Sequence, residues 1–151
     1  MTTRVVFDCM IFLQAAARPA SPARACFQTL DESLMTLCVS PVILTEVRDV
    51  LSRPELVARF PALSPEWVNE FLEAITSKAL VVPDVPDAFS LPRDPKDEPY
   101  INLAIATQAE FLVSRDRDLL DLMTDADFRR RFPGLTIVDP MTFLRTIRLR
   151  S

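Results

Sequence analysis

Leu34-Met35-Thr36-Leu37-Cys38-Val39-Ser40-Pro41-Val42-Ile43-Leu44-Thr45-Glu46-Val47-Arg48-Asp49-Val50-Leu51 is the stretch whose reading decides the fold. Its first part, Leu34–Val39, is a continuous apolar run, the pattern of a parallel strand covered on both faces. Ser40-Pro41 then places a capping hydroxyl immediately before a proline, the signature of a helix start. The remainder is helical in period. At about 100° per residue, Val42, Glu46, Val50, Ile43, Val47 and Leu51 fall in order around one arc, with Thr45, Arg48 and Asp49 opposite. The stretch is therefore one strand–helix unit, and it carries an acid, Glu46, inside its apolar arc.

The same grammar extends in both directions. Short apolar runs recur at Arg4–Phe7, Leu80–Val82, Phe111–Val113 and Thr136–Val138, making five strands in all. Helical stretches are expected over Ser21–Ser33, Pro41–Leu51, Pro65–Ala79, Glu98–Ala109, Asp118–Phe132 and Pro140–Leu149. Ser21-Pro22, Ser64-Pro65 and Asp139-Pro140 repeat the cap-then-proline signal. Alternating strands and helices imply a three-layer α/β/α sandwich around a central five-stranded parallel sheet. Nothing divides the chain, so a single domain over residues 1–151 is expected, with Pro83–Pro95 as a long polar loop. The only glycine is Gly134, which excludes a glycine-rich phosphate loop of either dinucleotide or P-loop type.

Composition narrows the chemistry. Apolar residues make up 49% and charged residues 25% of 151 residues, an ordinary globular balance. There is no His. Cys9, Cys26 and Cys38 lie in apolar stretches at no metal-binding spacing and read as reduced thiols of a cytoplasmic protein. Arg4, Val5–Leu13 and Ala15–Ala17 faintly outline a secretory leader, but Asp8 and Gln14 interrupt its apolar part. No apolar run reaches the ~20 residues of a membrane span. Net charge is −4, yet only Lys78 and Lys96 among the 17 basic residues are lysines. Arginine suits bidentate phosphate contacts, although surface ion pairing explains most arginines in most proteins.

Four acids stand among apolar neighbours. Asp8 ends Val5-Val6-Phe7, Asp116 follows Phe111-Leu112-Val113-Ser114, Glu46 lies in its helix arc, and Asp97 opens the oily segment Tyr100–Ala109. Asp8 and Asp116 fall at the carboxyl ends of predicted strands, where parallel sheets bind ligands. Each acid has a plainer reading. Asp8, Asp97 and Asp116 can cap helices, Asp94 and Glu98 compete with Asp97 by position, and Glu46 can pair with a buried arginine. As a set, buried like charges need a neutralising cation. With oxygen donors only, that cation is a hard one such as Mg²⁺ or Mn²⁺.

From Val5 to Leu144 this order of features resembles the PIN-domain family of metal-dependent ribonucleases. Val5-Val6-Phe7-Asp8 resembles the family's first strand with its acid, and Ser40–Val47 its helix-borne acid. Arg93-Asp94-Pro95-Lys96-Asp97-Glu98-Pro99 with Leu103–Ala106 is similar to the third motif, and Leu112–Leu120 to the fourth. The resemblance implies that Asp8, Glu46, Asp97 and Asp116 are catalytic and bind Mg²⁺ or Mn²⁺, and it leaves Asp94, Glu98 and Asp118 as second choices. It implies endonucleolytic hydrolysis of RNA. The last two motifs are similar to those of toxins of toxin–antitoxin pairs, which implies an antitoxin partner and admits a homodimer. One departure stands out: Cys9-Met10 follows Asp8 where the family usually has a small hydroxyl residue and then Asn. The Asn amide supports the first acid, so Met10 implies weaker metal binding. It also motivates an alternative, a PIN-like binding or assembly module without catalysis.

Overall fold

The computed structural model describes residues 2–150. Its five strands are β1 (Thr3–Phe7), β2 (Met35–Val39), β3 (Leu80–Val81), β4 (Phe111–Val113) and β5 (Thr136–Val138). All neighbours pair in parallel, in the order β3-β2-β1-β4-β5. The helices are α1 (Cys9–Ala17), α2 (Pro22–Asp31), α3 (Pro41–Leu51), α4 (Pro54–Arg59), α5 (Pro65–Lys78), α6 (Glu98–Thr107), α7 (Arg117–Leu120), α8 (Ala126–Arg131) and α9 (Pro140–Leu149). The expected three-layer α/β/α sandwich is present.

The order of strands dictates the layers. Connections from β1 to β2 to β3 step one way across the sheet, whereas β3 to β4 steps back over β2 and β1. Right-handed crossovers then put α1, α2, α3 and α5 on one face and α6 on the other. The contacts agree: α6 packs on β1, β2 and β4, while α9 joins α2. Between the layers lies a continuous core. Phe7 makes edge-on contacts with Phe12, Phe27 and Phe143, and Phe143 in turn with Phe111.

All four cap-then-proline signals hold. Ser21, Ser40, Ser64 and Asp139 accept hydrogen bonds from the backbone N–H of Arg24 (3.1 Å), Ile43 (3.2 Å), Trp67 (3.1 Å) and Thr142 (2.8 Å). Each satisfies an otherwise orphaned donor of the first turn.

Two helices appear beyond those expected, and one expected helix gives way. Cys9–Ala17 forms α1, which the sequence pattern does not disclose because Ile11, Phe12, Ala15 and Ala16 are buried with little polar contrast around the helix. Pro54–Arg59 forms α4 without any side-chain cap. The helix expected over Asp118–Phe132 is broken into α7, a 3₁₀ turn over Asp121–Thr124, and α8. Asp125 causes the break, because its Oδ1 accepts from the N–H groups of Asp127 and Phe128 and so starts a new helix. Cys26 and Cys38 are buried and Cys9 half-buried, and all three are free thiols. No helix among the described residues is long and apolar enough to cross a membrane.

Candidate metal centre

The strand order reverses between β1 and β4, which pair with Phe7 opposite Val113. The residues just beyond these strands therefore meet at the switch point of the sheet. Asp8 follows β1 and caps α1, its Oδ1 accepting from Ile11 N–H at 3.1 Å. Its Oδ2 accepts from the hydroxyl of Ser114, which follows β4. The same Ser114 Oγ accepts from the backbone N–H of Asp116 at 2.9 Å, and Asp116 caps α7 through Asp118 N–H at 2.8 Å. Both acids are thus helix caps, in line with the plainer reading, and capping does not separate them: Ser114 ties one to the other.

Asp8 is only 3% exposed. Burial pushes its carboxyl up to about 6, opposed by the bonds from Ser114 and Ile11 and reinforced by the charge of Asp116.

Asp97 is different, because capping does not account for it. It closes the 3₁₀ turn Pro95–Asp97 and makes no side-chain cap to α6. Its Oδ2 is buried and, among the described residues, finds no hydrogen-bond partner. Burial, then the charges of Asp116, Asp94 and Asp8, push its carboxyl up to about 8. Oxygens of Asp94, Asp97 and Asp116 all lie within 4.8 Å of one another. The ion pairs of the described residues involve none of Asp8, Asp94, Asp97 or Asp116. An unpaired buried oxygen within a compact all-oxygen set, with no protein cation beside it, suits a hard divalent ion.

Glu46 stands apart from this compact group. It does not lie inside the buried arc of its helix, as the helical wheel suggests. Ile43, Val47 and Leu51 are the buried residues of α3, while Val42 is 66% exposed, which leaves the half-buried Glu46 on the margin. The wheel sets the arc too far round because Val42, though apolar, faces solvent at the first turn. From that margin Glu46 Oε1 accepts from the Tyr100 hydroxyl at 2.5 Å. Tyr100 is fully buried on α6, and burial together with Cys9 and Glu46 pushes its phenol up. Cys9, next to Asp8, is pushed up to about 12 by burial and by the Glu46 charge. Glu46, Tyr100 and Cys9 thus form a second cluster beside the first acid.

The rival acids have separate employment, with one exception. Glu98 accepts from Leu91 N–H at 2.7 Å and so pins the loop before it. Asp118 pairs with Arg93 at 2.6 Å. Asp94, however, contributes to the compact group while its Oδ1 accepts from Lys96 N–H at 3.2 Å. Sequence reasoning ranks it second, and it misses Ser114 and Tyr100 as supports. A hydroxyl two residues before an acid, and the only tyrosine of the chain three residues after one, were the available signals. Met10 is 45% exposed, and the support reaching Asp8 comes instead from Ser114 and Ile11.

Comparison with known proteins fits this geometry. Among curated proteins no sequence matches the chain. The fold is similar to that of VapBC2 from Rickettsia felis, solved bound to a DNA fragment from its promoter. There the TM-score is 0.58 at 15% identity, covering 90% of this chain and 98% of that one. PAE2754 from Pyrobaculum aerophilum is similar at a TM-score of 0.59 and 17% identity, covering 98% of this chain and 90% of that one. The PIN domain family model matches residues 4–118, from β1 into α7, and so takes in all the acids of the centre. By that match the chain belongs to the PIN domain family.

Proposed function

We propose that this protein is a Mg²⁺- or Mn²⁺-dependent endoribonuclease. The observation that carries the reading is the buried, unpartnered Oδ2 of Asp97 within the group it forms with Asp94 and Asp116, one Ser114 hydroxyl away from Asp8. Asp8, Asp97 and Asp116 are the acids we assign to the ion, with Asp94 as a further ligand and Glu46 approaching from α3, directly or through water. A bound ion would supply Lewis-acid stabilisation of the phosphate and a water acidified towards neutrality. The chain's own residues do the rest. Ser114 keeps Asp8 and Asp116 at a constant spacing, Tyr100 holds Glu46 in place, and a carboxylate of the group takes the proton of the attacking water.

Within this reading the protein is the toxin of a toxin–antitoxin pair, active in the cytoplasm as a single PIN-like domain and open to homodimerisation. The likeness to the Rickettsia felis VapBC2 structure supports a partner of the antitoxin kind.

The test is cleavage of RNA in Mn²⁺ by the wild type and by Asp8→Asn and Asp116→Asn, with melting curves alongside. Loss of cleavage in both folded variants supports the reading, and undiminished cleavage by both ends it. Calorimetric titration that finds no Mn²⁺ binding at millimolar concentrations would instead favour the binding-module alternative raised by Met10.

A further inference from the structure

The chain carries a net charge of −4, yet one groove beside the metal centre has no acidic lining. It has a volume of about 790 Å³ and is lined by Gln14 and Arg18 from the end of α1, Ser21 and Pro22 from the start of α2, then Phe60 and Arg115, among others. Arg115 connects it to the centre directly, since it stands between Ser114, which holds Asp8, and Asp116.

The cations of this groove are held in no ion pair among the described residues. Arg18 and Arg59 each place a guanidinium against the Phe60 ring, at 5.4 and 5.3 Å from its centroid, and neither makes an ion pair among the described residues. Arg115 is exposed and likewise forms no ion pair there, although its charge helps hold the Asp139 carboxyl down. Some arginines elsewhere are tied to carboxylates, as at Arg93, Arg130 and Arg150, while Arg24 and Arg131 also lie over aromatic rings. Exposed arginines stacked on an aromatic ring, with no carboxylate among them, present flat, weakly hydrated donors to phosphates and bases.

We infer that the groove of Arg18, Phe60 and Arg115, with Arg59 on its rim, is the track along which a single-stranded stretch of RNA is led to the acids. Arg115 contacts the phosphate nearest the centre, and the Arg18–Phe60–Arg59 stack receives a nucleotide further along. Single strands fit better than a duplex because the stack offers planar surfaces for unpaired bases. The inference rests on the ribonuclease reading for the identity of the polymer.

Fluorescence anisotropy of a labelled single-stranded RNA oligonucleotide, titrated with full-length protein in EDTA across a salt series, tests it without cleavage. Arg18→Gln/Arg115→Gln should weaken binding at least tenfold and lower the slope of log K against log salt by about 0.7 per arginine removed. The single variants, each replacing one exposed side chain, should each give part of the loss and guard against a fold defect in the pair. Wild-type affinity and slope in the variants would overturn the track. So would arginine-dependent binding confined to duplex DNA or to an acidic peptide. A wild type that binds the oligonucleotide through these arginines but takes up no Mn²⁺ would keep the track while removing the nuclease.

Discussion

Tyr100 donates its hydroxyl to Glu46 across 54 positions of sequence, joining the start of α6 to the margin of α3 at 2.5 Å. The bond gives a half-buried carboxylate a buried, rigid partner. It also ties Glu46 to the helix whose preceding turn carries Asp97, so the second cluster is mechanically continuous with the first.

Tyr100→Phe keeps the buried ring and removes that bond together with the hydroxyl's interaction with Cys9. Stability should fall by about 1 kcal/mol, the typical net contribution of one hydrogen bond. Mn²⁺-dependent RNA cleavage should drop roughly 10–100-fold, as for other partners of metal-site acids. Steady-state kinetics beside urea denaturation checks both, and unchanged kinetics would detach Glu46 from the centre.

Ser114→Ala removes the hydroxyl that joins Asp8 to Asp116. Leaving the buried Asp8 carboxylate with one donor fewer should cost about 1–3 kcal/mol and push its carboxyl above the present value of about 6. Denaturant melts and a carboxyl titration by NMR would read the two effects separately.

Without metal, stability should fall as pH rises. The folded carboxyls of Asp8 and Asp97 lie near 6 and 8, against ~4 in an unfolded chain, so the folded state binds more protons in that interval. Their contribution is complete below pH ~4 and is lost as pH climbs through about 6 and then about 8. Melting in EDTA at pH 5 and pH 8.5 measures it, and saturating Mn²⁺ should abolish the decline by pairing the ionised forms. Stability that instead grows towards pH 8.5 in EDTA would contradict the electrostatics of the site.

Asp97→Asn replaces a carboxyl that the fold keeps protonated up to about 8, but the unfolded chain ionises at ~4, with a neutral amide of similar size. The metal-free protein should then melt at a higher temperature than the wild type, while Mn²⁺ affinity and cleavage collapse. Calorimetric scans with and without Mn²⁺ would show the opposed shifts together, a pattern that a purely structural aspartate could not produce.

Asp118→Asn separates the centre from its neighbours. Its ion pair with Arg93 is partly exposed, so the change should cost no more than about 1 kcal/mol and leave Mn²⁺ affinity at the wild-type level. Loss of metal binding in this variant would return Asp118 to the ligand set.

The strand at Leu34–Val39 with its Ser40-Pro41 cap, and the same pattern at three other helix starts, made the parallel α/β sandwich legible from sequence, because caps, prolines and apolar runs act within a few residues of themselves. The carboxyl-end placement of Asp8 and Asp116 came through for the same local reason. What sequence misplaced were features set by neighbours in space. α1 hid because it is apolar on most sides, and Glu46 was drawn into the buried arc because Val42 counts as core on a helical wheel.

By itself, then, the sequence determined that acids would stand at strand ends and helix starts, since alternation and capping are local. The tertiary structure alone decided which of them meet. Ser114 reaches Asp8 across 106 positions because β4 pairs beside β1, and the turn before α6 brings Asp94 and Asp97 against Asp116. Strand order and layer packing set those distances, and neither acts through the residues adjacent in the chain.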